Sequence, residues 1–319
     1  MRRIGIFGWG VVAPRSPNID AFYNNLDQGA SWLSPFNGFG PDNFLVGTPE
    51  FDFEYYKPWI DARFPPNRYR QLIEKMDPTT LHAIGAFIQS LEQNPGIEEE
   101  LQRLGTEAHV YIGCGVGNIP TIQQCSLDLY RAQRNWNRFW GDPVRNSALQ
   151  GFQSLSDQER QTVADVPSDP ESVAAAERDE AEERWYAYWT GQSPELQSFL
   201  KSLAEIDGMS VQGEVEAGKR RIIKEKQRRK SRLLSDWGAP APPWEKVSPN
   251  IIWNIANTPA SQISMLGKIT GLSFASIAAC STFGVCLKLA IDTIRRGEAR
   301  AVVIGATAPP PQPLIVGAF

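Results

Sequence analysis

Apolar positions run almost unbroken from Ile4 to Val12 and stop at Pro14 and Pro17. That pattern predicts a first buried strand followed by a loop. Asn18-Ile19-Asp20 then opens a short amphipathic helix with Phe22, Leu26 and Tyr23 turned inward. Residues 31–70 have no regular period. They are rich in Pro, Gly and rings, including Trp32, Phe36, Phe39, Phe51, Phe53, Tyr55, Tyr56 and Trp59, so they must pack down through those rings. Asp77-Pro78 reads as a helix start, because Pro suits the first helical turn. Leu81, Ile84, Phe87, Ile88 and Leu91 give that helix its apolar face. His109–Ile112 is a second short strand, ending in Gly113-Cys114-Gly115-Val116-Gly117.

Between 118 and 245 the pattern changes to helical. Charges fall in blocks, and Trp recurs at 136, 140, 185, 189, 237 and 244. Ser168-Asp169-Pro170-Glu171 is a capping signature ahead of Glu177, Asp179, Glu180, Glu182 and Glu183. Residues 219–232 are the opposite, with Lys219, Arg220, Arg221, Lys224, Lys226, Arg228, Arg229, Lys230 and Arg232. The two blocks predict an antiparallel helix pair held by Trp185, Trp189 and Trp237; docking of an acidic partner on the basic block is the alternative. Ala239-Pro240-Ala241-Pro242-Pro243 is a stiff connector. Strand and helix then alternate again: strand Ser273–Ala278, helix Ser281–Arg296, strand Ala301–Ile304 and loop Pro309–Pro313. The predicted organisation is an α/β part, 1–117 with 246–319, and a charged, Trp-rich helical part, 118–245.

Composition narrows the class. The chain has 319 residues, 42% hydrophobic and 21% charged, which is enough for a core and excludes global disorder. A net charge of -4 argues against a dedicated nucleic-acid binder. No apolar run approaches a membrane span, and the N-terminal run lacks a cleavage pattern, so no membrane span and a cytoplasmic location are expected. Four cysteines, Cys114, Cys125, Cys280 and Cys286, are too few and too irregular for a disulfide scaffold and read as free thiols. The chain has two histidines, His82 and His109, and neither metal nor cofactor is expected.

Several constellations carry candidate chemistry. Gly8-Trp9-Gly10-Val11-Val12-Ala13 fits a dinucleotide fingerprint, but Pro14 and Pro17 forbid the helix that would bind the pyrophosphate. Gly113–Gly117 lacks the Lys-Ser/Thr of a phosphate loop and reads as a tight strand-to-loop turn. Tyr130, Arg131, Arg134, Trp136, Arg138 and Trp140 interleave rings with bases. An amphipathic helix with Leu129, Ala132, Trp136 and Trp140 on one face accounts for them. The sharpest signal is Ala278-Ala279-Cys280-Ser281-Thr282, a cysteine where an apolar strand meets a helix. A helix N-terminus favours thiolate and an adjacent oxyanion. Phe283, Val285, Cys286, Leu287, Leu289, Ala290, Ile291 and Ile294 make that helix apolar nearly all round, hence buried. On these residues alone a structural cysteine and a nucleophile both remain open at 280, while Cys114, Cys125 and Cys286 read as structural.

Ser276-Ile277-Ala278-Ala279-Cys280-Ser281-Thr282 resembles the nucleophile turn of β-ketoacyl synthases, T-A-C-S/A. Ala290-Ile291-Asp292-Thr293-Ile294-Arg295-Arg296-Gly297-Glu298-Ala299 is similar to their AIRRGDAD segment, and Ala301–Thr307 to the strand that follows it. Arg2–Pro14 resembles the family's opening RRVVITGLGVVSP, Pro313–Phe319 its P-L…G-F stretch, and Met76-Asp77, glycines 113–117 and Ser248-Pro249 with Asn257 are further landmarks.

The resemblance implies an α/β, thiolase-like layered fold, of which this is the N-terminal half with a helical insertion. It implies a decarboxylative condensation of fatty-acid or polyketide type. In it Cys280 takes an acyl group from an acyl carrier protein or acyl-CoA thioester, usually within a homo- or heterodimer. The family's two catalytic histidines belong to its second half, and neither His82 nor His109 sits in a matching motif. The G-G-x-E motif is Gly305-Ala306-Thr307-Ala308 here, without the acid. The alternative reading is therefore a non-catalytic, synthase-like partner subunit of a heterodimer.

Overall fold

The computed structural model describes residues 3–39, 44–210 and 216–318, without the side chains of 216–219. Met1, Arg2, the Lys219 side chain and Phe319, each part of a reading above, lie outside the described residues. The chain forms two compact units, Met1–Gln124 with Pro249–Phe319, and Cys125–Ser248.

The first unit is built on a three-stranded parallel sheet. Ala108–Cys114 is central and buried along its whole length. It pairs on one side with Ala301–Thr307, from Ala108 opposite Ala301 to Cys114 opposite Thr307, and on the other with Ser273–Phe274. Side chains alternate between the two faces, as strand geometry requires. Val110, Ile112 and Val303 enter a core with Ile84, Phe87 and Ile88 of helix Pro78–Glu92 and Ile263 and Leu266 of helix Thr258–Leu266. Tyr111, Val302 and Ile304 face the other way, onto Cys286 and Ala290 of helix Thr282–Arg296. The sheet is thus covered on both faces, which is why its central strand reads as nearly all apolar. Asp77 caps helix Pro78–Glu92 by accepting from the Thr79 N–H, as the Asp-Pro start predicts.

The structure departs from several sequence expectations. Ile4–Val12 is not a buried strand; the described part of this run is irregular, and Ile6 is 88% exposed. Instead it crosses helix Pro78–Glu92. The backbone N–H groups of Trp9 and Val11 donate to the side chains of Gln93 and Gln89. A Cβ on Gly8 would fall 2.2 Å from the Ser90 carbonyl oxygen, and one on Gly10 1.8 Å from that of Ala86. The two glycines therefore serve backbone-on-backbone packing, and side-chain amides replace a strand ladder.

The strand expected at Ser273–Ala278 ends at Phe274, because the chain then bends into the turn that carries Cys280. Helix Thr282–Arg296 is not buried all round. Thr282, Cys286, Ala290 and Thr293 form its buried face, while Phe283, Leu287 and Leu289 are exposed. The first helix, Ile19–Gln28, holds Phe22 half-buried between the edges of Trp9 and Trp32 and leaves Tyr23 and Leu26 exposed. The irregular region does pack through rings: Phe53, Tyr56 and Trp59 are buried.

The second unit is helical. One aromatic cluster joins Trp136 and Trp140 of helix Ile119–Trp140 to Phe199 of helix Pro194–Asp207 and Trp237 of helix Glu216–Trp237. A second joins Trp185 and Trp189 of helix Arg178–Gln192 to Leu149 and Phe152. Fully buried Asn146 lies between them. Its amide donates to the carbonyls of Trp140 and Trp189, and its oxygen accepts from the Leu149 N–H.

The expected pairing of acidic and basic helices does not form. Glu182 pairs with Arg138 at 2.9 Å and Glu183 with Arg134 at 3.5 Å, so the acids face the arginines of helix Ile119–Trp140. The basic helix packs on Pro194–Asp207, and its Trp237 belongs to a different aromatic cluster from Trp185 and Trp189.

Candidate active site

Cys280 occupies a single 3-10 turn, Ala279–Ser281, that leads directly into helix Thr282–Arg296. It is exposed, while Cys114, Cys125 and Cys286 are all buried. The preceding Ala279 has φ 46°, a left-handed conformation that a residue with a side chain adopts only when its surroundings enforce it. The enforcing bonds are local. The Ala278 N–H donates to Thr282 Oγ1 at 3.1 Å, Thr282 Oγ1 donates to the Ala279 carbonyl at 2.8 Å, and the Ser281 N–H donates to the Ala278 carbonyl at 2.9 Å.

The turn is seated against the end of the central strand. The Cys114 N–H donates to the Ser276 carbonyl, and the Gly115 N–H to the Thr307 carbonyl. A Cβ on Gly113 would lie 2.1 Å from the Thr282 methyl and 2.3 Å from the Ser276 oxygen. The glycines that resemble a phosphate loop therefore make room for the cysteine turn. Gly115 is also close, its missing Cβ 3.4 Å from the Ala279 oxygen.

Burial and backbone bonds set the other thiols apart. Burial pushes the Cys114 thiol up, against the weaker opposite pull of the Gly117 and Val116 backbone. Burial likewise pushes Cys286 up, against bonds to the Gly113 and Ser276 backbone. Both are the wrong groups for a nucleophile at neutral pH, since the thiolate is the reactive form.

A buried polar node stands under the same strand ends. The Asp77 carboxylate accepts from the Thr79 N–H, and from both the N–H and the hydroxyl of Thr121, at 2.7–3.0 Å. The Asp77 N–H donates to Asn254 Oδ1 at 2.6 Å, and Thr307 Oγ1 donates to the Thr79 carbonyl at 2.7 Å. The sequence marks Asp77 as a helix start but gives no sign of its partners, which come from 44 and 177 positions away. Thr282 belongs to the sequence motif around Cys280, but nothing in the motif announces its hydroxyl's bonds back to Ala278 and Ala279.

Both histidines have partners of their own. His82, on helix Pro78–Glu92, meets Phe51 edge-on at 4.8 Å and bonds the Ala308 backbone. Its pKa is lowered from 6.5 by burial, with the Ala308 bond and the Asp77 charge acting the other way. His109 Nδ1 lies 2.8 Å from the Tyr111 hydroxyl, which donates to Thr293 Oγ1. No group of three or more metal-ligating side chains occurs among the described residues.

A parallel α/β sheet with an exposed cysteine at a strand-to-helix turn is an arrangement that can form a covalent acyl thioester. Residues 226–319 match the family model described as the β-ketoacyl synthase N-terminal domain. The resemblance to that family therefore holds over this stretch, which includes the Cys280 turn, helix Thr282–Arg296 and strand Ala301–Thr307. No curated protein matches the chain. Among the described residues no helix is long and apolar enough to cross a membrane.

Proposed function

We propose that Cys280 is the acyl-accepting nucleophile of a β-ketoacyl synthase-like condensing enzyme of fatty-acid or polyketide type. The Cys280 sulfur attacks the carbonyl carbon of an acyl carrier protein or acyl-CoA thioester. A new carbon–sulfur bond forms at Cys280, the bond to the carrier sulfur breaks, and the cysteine proton leaves with the released carrier thiol. The turn at Ala279–Ser281 leaves the cysteine exposed at the start of helix Thr282–Arg296, where an incoming thioester can reach it. The observation that carries this reading is that Cys280 alone among the four cysteines is exposed, at a turn within the stretch that matches the synthase domain.

On this reading residues 1–117 and 246–319 form a thiolase-like N-terminal half, and 118–245 is a helical insertion in it. The exposed Phe283 and Leu287, one turn apart, are then the face on which a homo- or heterodimer partner, or the remainder of a synthase, packs. The condensation step needs groups to stabilise the malonyl-derived enolate, and neither His82 nor His109 supplies them.

That last point favours a second reading, a non-catalytic partner subunit of a heterodimer. One experiment separates the two. The purified chain is incubated with an acyl carrier protein thioester and digested for mass spectrometry. An acyl adduct on Cys280, absent from Cys280→Ala, supports the nucleophile. Absence of any adduct from wild type favours the partner subunit. Release of a condensed product by the chain alone would overturn the assignment of the histidines to structural roles.

A further inference from the structure

Glu180, Glu182 and Glu183, three of the acids that the sequence pairs with the basic helix, are occupied elsewhere, by Arg184, Arg138 and Arg134. Helix Glu216–Trp237 therefore keeps most of its charge. Between 220 and 232 it has eight basic residues against one acid, Glu225. Arg221, Lys224, Arg228 and Arg232 recur at steps of three or four, so they share one helix face, about 16 Å long. All four are exposed. Arg221, Lys224 and Arg232 have no ion-pair partner among the described residues, whereas Glu225 serves both Arg228 and Arg229. Lys226 and Lys230 are turned aside to the Asp207 carbonyl and to Glu245.

Arg229 and Arg232 also border a cleft of about 300 Å³ shared with Ser202, Glu205, Ile206, Leu233 and Asp236. Arg228, Arg229 and Arg232 line a smaller recess of about 140 Å³ beside it. The sign of charge in this region is mixed. Glu205 and Asp236 stand in the cleft, and bonds from Arg228 and Arg229 hold the Glu225 carboxyl at about 2, so it stays charged. A continuous phosphate backbone laid along the stripe would meet these carboxylates. A protein surface with separate carboxylates can meet the arginines one by one and avoid them. The net charge of -4 further opposes a long polyanion.

We propose that the Arg221–Lys224–Arg228–Arg232 face of helix Glu216–Trp237 is a docking surface for an acidic protein. Under the function proposed above, on which this inference rests, that protein is the thioester-bearing acyl carrier protein. Guanidinium groups on one helix face suit this role, because each can bind a carboxylate through two parallel hydrogen bonds.

The test uses the full chain carrying Cys280→Ala and a holo-acyl carrier protein, with affinity measured at low and high salt. Reversing Arg221, Arg228 and Arg232 to Glu together should weaken binding by about tenfold or more and flatten its salt dependence. Replacing the same three by Gln should give an intermediate loss, and reversing exposed Arg131 and Lys201 should give none. Melting curves of each variant show whether the helical unit is intact. Equal binding by folded wild type and Glu variants would overturn the surface. So would a wild type that binds no carrier, or a DNA oligonucleotide that binds more tightly than the carrier through the same arginines. Acyl labelling of Cys280 in the parent chain is read separately. A labelled Cys280 with no arginine dependence of binding removes the docking surface and leaves the proposed nucleophile standing.

Discussion

The two units solve the packing problem with different materials. The first packs aliphatic and aromatic side chains on both faces of a parallel sheet, with glycines where backbone approaches backbone, as at Gly8, Gly10 and Gly113. The second uses large rings in two clusters, one buried asparagine between them and ion pairs along the helix surfaces. A core of tightly seated strands holds a turn in a fixed, strained shape, as at Ala279. A bundle of rings and surface charges instead leaves a long charged face toward solvent. The candidate chemistry lies in the first unit and the candidate recognition surface in the second.

The contrast is broken most severely at Asn146. Asn146→Ala would strip the Trp140 and Trp189 carbonyls and the Leu149 N–H of their partner at once. Three buried groups left unpaired cost about 3 kcal/mol or more. The expected result is a lowered melting transition for the helical unit, followed by tryptophan fluorescence, with Cys280 labelling retained. Loss of labelling together with that transition would mean that the units do not behave independently.

The matching change in the first unit is Gly113→Ala. The added methyl must displace the Thr282 methyl and the Ser276 carbonyl, at an overpacking cost of roughly 1–3 kcal/mol. Because both groups belong to the Cys280 turn, the labelling rate should fall as well as the melting temperature. A fall in stability with an unchanged rate would mean that Gly113 does not hold the turn.

His82 sharpens the comparison through pH. Its folded pKa is depressed below 6.5 by burial, so the folded chain favours the neutral ring. The stability tied to that neutral ring is present above pH 6.5 and is lost as the pH falls through the folded value. His82→Gln should therefore lose less melting temperature between pH 7 and pH 5 than wild type. Equal losses would show that carboxylates alone set the acid response.

The smallest effect is expected where charge is most visible. Glu182 and Arg138 are both partly solvated, so Glu182→Gln should change stability by about 0.5 kcal/mol or less. A larger effect would show that the ion pairs, and not the rings, hold the second unit together.

The sequence was most informative where a pattern had a single physical solution. The Asp77-Pro78 start, the apolar face of helix Pro78–Glu92, the strand at His109–Ile112 and the helix beginning beside Cys280 all appear as expected. It misled where a partner was assumed. Ile4–Val12 has the composition of a strand, yet a strand needs a ladder, and here the N–H groups of Trp9 and Val11 go to glutamine side chains. The blocks at 171–183 and 219–232 have complementary charge, yet exposed ion pairs are too weak to choose a helix neighbour, and Trp237 packs with Trp140 and Phe199 instead. The Asp77 node joins residues far apart in the chain, so no local spacing announces it.

Whether Cys280 is the reactive thiol is decided by cysteine mapping after brief iodoacetamide treatment of the native chain at neutral pH. The prediction is a dominant adduct on Cys280, with buried Cys114, Cys125 and Cys286 modified only after unfolding. Faster modification of any of those three in the native chain would contradict it.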